Sequence, residues 1–215
     1  IAPGVQAPPR SSGAVIDLDR AYWGWNARWR WLGDWQGGRL DLSAGLAADR
    51  QTDERRGYEN YVGSTLGVLG ALRRDETNRA TSLDPYLRAE WARQDWTLTG
   101  GVRWARVDFT STDRYIVPPN GDDSGSRSYR GTLPVVGVRQ AITPQLQWFA
   151  GLGRGLETPT LNEAAYRPGG VAGLNTALNA ARSTSAELGL RGRGRDGLWS
   201  ATLFDIRTRD EIVVQ

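Results

Sequence analysis

The chemistry available to this chain is carried by arginines and carboxylates. All 27 basic residues are Arg, the acids number 24, and there is no His and no Cys. Without imidazole or thiol, the common nucleophile–base pairs and the usual zinc ligand sets cannot be assembled. The best-placed acids are Asp41, Asp49, Glu90 and Glu187, interleaved with Arg28, Arg30, Arg39, Arg88, Arg103, Arg139 and Arg191. They sit on separate stretches, whereas glycoside cleavage needs two carboxylates facing one bond. Alternation with arginine reads as ion-pair networks along a wall. No catalytic residue and no cofactor site is assigned. Asn120-Gly121-Asp122-Asp123-Ser124-Gly125 lacks EF-hand spacing and has ordinary loop composition. Arg191, Arg193 and Arg195 with interleaved glycines read as a turn rather than a nucleic-acid segment, and a net charge of +3 gives no basic patch that would favour one.

The elements that hold these charges are strands. From Ala21 to Trp31, one parity is Ala21, Trp23, Trp25, Ala27, Trp29 and Trp31; the other is Tyr22, Gly24, Asn26, Arg28 and Arg30. Period-two alternation gives a strand with two faces. A tryptophan face must be covered by a core, a partner or lipid. Arg39–Asp49, Tyr86–Ala92, Trp96–Ala105, Pro134–Arg139, Leu146–Gly153 and Thr184–Arg191 repeat the rule, and their apolar parity carries no charge. We call that parity outward. It includes Trp23, Trp29, Leu42, Leu98, Trp104 and Leu188, which are expected to face lipid. An eighth stretch, Leu198–Arg207, is apolar with ambiguous facing.

Connections alternate between short and long. Gly33–Gly38, Arg93–Asp95, Ala141–Pro144 and Gly192–Gly197 are short and rich in turn residues. The others run over Gln51–Asp84, Arg106–Ser128 and Arg154–Arg182. The alternation slips near Val107–Phe109, where a bulge is expected. This is an up-and-down meander: an all-β, antiparallel transmembrane β-barrel fragment of about eight strands, with short periplasmic turns and long extracellular loops. Trp23 to Trp31 would span very roughly 20 Å of height at ~3.3 Å per residue and a tilt near 45°.

Mean hydropathy is −0.51, and no apolar run approaches the ~18 residues of a membrane helix. Barrels hide their apolar content in alternate positions. The absence of Cys suits export through an oxidising compartment. The chain opens on Ile and closes on Glu-Ile-Val-Val-Gln, so it reads as a piece of a longer protein. A lumen lined by arginine would attract anions.

The most specific local signal is Gly153-Arg154-Gly155-Leu156-Glu157-Thr158-Pro159-Thr160-Leu161-Asn162-Glu163. Gly173-Leu174-Asn175-Thr176-Ala177-Leu178 and then Arg182-Ser183-Thr184-Ser185-Ala186-Glu187-Leu188 follow it. Thr160-x-x-Glu163 is a capping box and predicts a short helix over Thr160–Tyr166. These residues resemble the TonB-dependent outer-membrane receptors of the ferric-siderophore type. There a rising strand ends near a Gly-Arg-Gly-aromatic-Glu element, and a Pro-x-x-x-Glu turn, an Asn-x-x-Leu segment and a Ser-x-Glu-Leu-Gly strand follow. Gly153, Arg154, Gly155, Glu157, Pro159, Asn162, Glu163, Asn175, Leu178 and Glu187 carry the match; Leu156 stands where an aromatic is common. The likeness is strongest over Gln145–Val214 and looser through Arg56–Asn60, Gly67–Glu76 and Asn120–Gly125.

The resemblance implies that residues 1–215 are part of a receptor barrel, without its plug domain or TonB box. It implies a multi-pass outer-membrane location in a Gram-negative bacterium and a transporter rather than an enzyme. Implied partners are a ferric siderophore or similar metal chelate, outer-membrane lipid, and TonB through the absent plug. Haem-type members usually carry a loop histidine, which this chain lacks. By position and charge, Arg55, Arg114, Arg154 and Tyr166 are the candidate cargo contacts. The alternatives are a complete eight-stranded outer-membrane barrel with a structural or adhesive role, and a soluble all-β binding module.

Overall fold

The computed structural model describes residues 13–164, 175, 177–195 and 197–211. The long strands are β1 (Ala14–Trp35), β2 (Gly38–Glu59), β5 (Leu72–Arg93), β6 (Trp96–Asp113), β7 (Gly125–Thr143), β8 (Leu146–Glu157), β9 (Ala181–Arg193) and β10 (Leu198–Arg209). A small hairpin, β3 (Tyr61–Val62) and β4 (Thr65–Leu66), tops the β2–β5 connection, and one short helix, α1 (Leu161–Ala164), follows β8. The long strands form one antiparallel 8-stranded sheet in the order β1-β2-β5-β6-β7-β8-β9-β10. β1 and β10 are not paired with each other. Eight strands therefore do not close a barrel here, which corrects the reading of a complete small one.

Each hairpin fixes its register through its turn. Between β1 and β2, Gln36 and Gly37 both have positive φ, 54° and 71°. That is the geometry of a tight hairpin turn, and its twist matches the flanking strands. From these turns the register propagates across the sheet. Gly33, Leu40, Trp91, Leu98, Val138, Ala150, Leu188 and Leu203 are successive direct partners, a row crossing all the long strands without a charge. One residue along lies Leu32–Asp41–Glu90–Thr99–Gly137–Gly151–Glu187–Phe204 on the opposite face. The pairing settles the facing of β10: Leu203 is outward and Phe204 inward. The outward side chains are bare, with Trp23 56% and Leu203 78% exposed. Such a face needs an apolar solvent.

Glycines let the inward aromatics lie flat. A Cβ at Gly45 would sit 2.3 Å from the Tyr86 ring, and one at Gly189 would sit 2.3 Å from Phe149. The rings occupy the space that those missing side chains leave.

The strands outrun the alternation. β1, β2 and β5 are 22 residues each, about twice the 9–11 needed to cross a bilayer. Much of what reads as loop in Gln51–Asp84 and Arg106–Ser128 is strand. The expected bulge at Val107–Phe109 is absent, since Ser82↔Val107 and Val107↔Tyr129 stay in register. What changes there is the environment. Above the apolar band the outward positions are charged, as in Arg106 and Asp108. The inward positions Val107, Phe109 and Tyr129 become apolar because loop structure covers them. The irregularities fall instead at Gly57/Tyr58 and Ala141/Thr143.

Candidate functional site

The upper inward wall is where polar chemistry concentrates. Arg20 on β1 donates Nε and Nη2 to the two carboxylate oxygens of Asp53 on β2, at 2.8 and 2.7 Å. This is the fork geometry that guanidinium favours. Gln51 donates to the same carboxylate at 3.1 Å. Next to it, Glu76 on β5 accepts from the Asn78 amide at 3.0 Å and sits between Arg55 at 3.5 Å and Arg74 at 3.7 Å. Lower down, Tyr22 donates its hydroxyl to Asp49 at 2.7 Å, and Arg103 reaches Asp84 at 2.7 Å. Further toward the short turns, Arg30 pairs with Asp41 and Arg88 with Glu90. Of the interleaved charges, Arg30, Asp41, Arg88, Glu90 and Arg103 are ion-paired, whereas Asp49 accepts from hydroxyls, Arg139 donates to Thr97 and Arg191 lies over the Phe149 ring. Asp53, Glu76, Asn78 and Asp84 are buried. Charges removed from water in this way persist only when partnered.

One wall segment is roofed. Phe109 and Tyr129 meet edge to face, 5.7 Å between ring centres. Ala164 of α1 and Ala180 pack on them, with Leu156 and Leu161 alongside. The Tyr129 hydroxyl donates to the Leu178 carbonyl at 2.9 Å, and Arg127 donates to the Asn179 side chain at 3.1 Å. Burial pushes the Tyr129 phenol above its ordinary pKa.

The signature residues build this roof. Thr160 Oγ1 accepts from the Glu163 amide at 3.2 Å, and the Glu163 carboxylate accepts from the Thr160 amide at 2.7 Å, a reciprocal capping box. Pro159 is fully buried. The Asn175 amide donates to the Ala164 carbonyl at 2.6 Å, closing the loop on the helix. Glu157 pairs with Ala181 at the top of the β8–β9 ladder, and a Cβ at Gly155 would meet Ser183 Oγ at 2.4 Å. Glu187 faces inward against Gly151. The described helix is Leu161–Ala164; residues 165 and 166 of the expected span, and the Asn162 side chain, lie outside what is described.

The three described candidate cargo contacts are not brought together. Arg55 faces inward and is engaged with Glu76. Arg114 follows β6 and pairs with Glu54 and Asp75 on the outward parity. The Arg114 guanidinium beside Glu54 holds its carboxyl below the usual pKa. Arg154 is opposite Thr184, and its parity is that of Leu152 and Leu188, so it is outward as well. Position along the chain misplaced Arg114 and Arg154; the pairing decides the face. Tyr166 lies outside the described residues. Sequence reading missed Arg20, Asp53, Glu76 and Asn78 because both faces are polar above the apolar band, which erases the period-two signal. Continuing the β2 parity from Asp41 through Gln51 would have found Asp53.

This wall presents guanidinium, carboxamide and hydroxyl groups on the inward face of the sheet. Among the described residues no acidic or imidazole cluster could hold a bare metal ion. The chain also has no His, Cys or Met, so it offers no soft ligand.

Comparison with known proteins places the fold. A family model for TonB dependent receptor-like β-barrels matches residues 4–215. The ferric citrate transporter FecA, in its unliganded form, aligns at TM-score 0.67 and 18% identity, over 91% of this chain and 29% of that one. The siderophore receptor PiuA from Acinetobacter baumannii gives 0.67 and 12%, over 91% and 33%. The copper transporter OprC gives 0.68 and 18%, over 95% and 33%. At these identities the likeness is one of fold, and the chain spans at most a third of each of these structures. Its open sheet is a stretch of transmembrane barrel wall, and the chain belongs to the TonB dependent receptor-like β-barrel family.

Proposed function

We propose that this chain forms part of the lumen wall of an outer-membrane receptor that imports a ferric siderophore, with TonB supplying energy through a plug domain. The observation that carries the reading is the upper inward wall. Arg20, Arg55, Arg74 and Arg103 line it beside buried carboxylates, under a loop clamped by Tyr129. Guanidinium groups recognise planar, oxygen-rich anions in pairs of hydrogen bonds. An arginine-bearing lumen also raises the local concentration of an anionic chelate. Arg55 is the cargo contact retained from the sequence, since it lies on the inward face.

Copper is the second cargo, favoured by the likeness to a copper transporter. The missing Met, His and Cys argue that this segment would meet copper only as a chelate. The test uses the full-length receptor in an iron-limited strain, with uptake of radio-iron as a panel of anionic and neutral ferric chelates and of copper in parallel. Uptake of an anionic ferric chelate, weakened by Arg55→Ala and by added salt, supports the proposal. Uptake of copper alone, or of no chelate, overturns it.

A further inference from the structure

The inward wall turns apolar beside a seam in the sheet. Two inward rows, Tyr22–Gln51–Ala80–Phe109 and Gly24–Asp49–Ser82–Val107–Tyr129, change from polar to apolar as they reach β6. Leu133 and Val135 carry the apolar strip down β7, and Val135 is 47% exposed. The strands part next to it. β6–β7 pairing runs up to Ser111↔Gly125 and β8–β9 pairing to Glu157↔Ala181, but β7–β8 pairing stops at Val135↔Gly153. Pro134, the next residue on β7, has no amide hydrogen and adds no ladder bond. Gly131, Gly153 and Gly155 leave the inward lining of the gap without side chains.

Gly153 pairs with Ser185, which lies about 8 residues above Arg193 at the lower end of β9. The gap therefore opens about 19 Å up, in the top of a band about 25 Å tall. A hollow of about 460 Å³ at this height takes Leu133, Gly155 and Ser183 from the inward parity and Thr132, Arg154 and Arg182 from the outward one. The rest of its lining is threonine and arginine of β9 and β10. One hydrocarbon side chain stops the gap. Leu156 has outward parity by its pairing with Arg182, yet its Cδ2 lies 3.1 Å from where a Cβ on Gly131 would stand. It packs against the Phe109 and Tyr129 cluster. Arg182 donates across the same gap to the Arg130 carbonyl at 2.9 Å. Since β7 and β8 are unpaired at this level, swinging the Leu156 side chain aside breaks no ladder bond between them.

We propose that this seam is a side port in the barrel wall for the hydrocarbon tail of an amphiphilic ferric chelate. The tail takes the place of the Leu156 side chain and runs out to lipid, while the polar head stays on the upper inward wall. The inference rests on the reading of the chain as part of a ferric-chelate receptor, and narrows that reading to one class of cargo. A space that holds an isobutyl group beside leucine, valine and glycine favours another hydrocarbon. A chelate without a tail has no use for an apolar strip that ends at the lipid boundary.

The test uses the full-length receptor in lipid nanodiscs, with empty discs as the blank. The probes are radio-iron complexes of citrate-type, catecholate and hydroxamate chelators, each with and without a dodecanoyl chain. The variant Gly131→Cys/Leu156→Cys locks the seam reversibly. The two Cβ positions stand 3.6 Å apart, within disulfide range, and this segment contains no native cysteine. The reduced variant should bind an acylated complex about ten-fold tighter than its parent, a gain that burying about two methylenes supplies. Oxidation should abolish that preference and leave the parent's affinity unchanged. On the unaltered receptor, a diazirine at the end of the same chain should label residues 131–135 or 153–156. Equal binding within every pair, a preference that survives oxidation, or label confined to the outward apolar positions would each overturn the proposal. Label placed at those residues by a diazirine phospholipid, and not displaced by the acylated complex, would assign the port to membrane lipid and overturn it as well. Binding without a tail preference sinks this inference alone, whereas binding of no complex sinks the transport reading with it. The labelling needs no variant, so it decides the matter even if the double variant fails to assemble.

Discussion

Replacing Leu188 with Arg should be the most damaging single charge insertion on β9. Leu188 is outward and 55% exposed, between Ala150 and Leu203. From the lower end of β9 at Arg193 it lies about 5 residues up. At ~3.3 Å per residue and a tilt near 45°, that is about 12 Å, the middle of a band about 25 Å tall. An arginine at the midplane costs about 2–4 kcal/mol. At 25 °C this is a factor of roughly 30 to 900 in the ratio of folded to unfolded protein. Thr184→Arg has the same parity but lies near the upper rim, where the cost falls to about 0–1 kcal/mol. The assay is urea unfolding of the full-length receptor from phosphocholine vesicles, followed by tryptophan fluorescence, with the midpoint shift multiplied by the slope. A Leu188→Arg penalty equal to or below that of Thr184→Arg would refute the depth assignment.

The roof gives a second expectation. Tyr129→Phe removes the bond to Leu178 and should cost the loop about 1 kcal/mol, and Thr160→Ala should remove about 1 kcal/mol of capping. Hydrogen exchange over residues 158–164 should quicken in both, with β6 and β7 unchanged below Ala105. A third concerns acid. Arg114 depresses the Glu54 carboxyl from its ordinary 4.5. Its contribution is therefore present above that value and is lost as pH falls through the depressed one. The β6–β7 loop base should loosen only as pH falls below that ordinary value, and Glu54→Gln should loosen it at all pH values. A fourth concerns the segment alone. With two open sheet edges and a bare tryptophan face, residues 1–215 should sediment as aggregates in buffer without detergent; a monodisperse melting monomer would contradict this.

How much was legible in the sequence follows from where the solvent changes. Between Arg39 and Asp49 one face is uncharged and the other polar, so residue type tracks parity and the register can be read. Beyond Asp49 both faces meet water or protein, and the signal disappears. That is why Gln51–Glu59 reads as loop although it is strand. Val107 and Phe109 show the same effect reversed. They are apolar on the inward face because α1 and its flanks cover them, which alternation alone reads as a slip. The capping box at Thr160 and Glu163 was legible because it is local. The facing of Arg154 was not, because it depends on its pairing with Thr184 and not on its neighbours in sequence.

The central claim is that alternate residues of these strands face lipid and an aqueous lumen. A cysteine scan tests it most directly, since this segment contains no native cysteine. Nitroxide labels at Ser185, Ala186, Glu187, Leu188, Leu190 and Arg191 of the full-length receptor in membranes would be compared for collision with oxygen and with a water-soluble nickel chelate. The account predicts oxygen-dominated collisions at Ala186, Leu188 and Leu190, and nickel-dominated ones at Ser185, Glu187 and Arg191. A uniform profile, or the opposite parity, would contradict it.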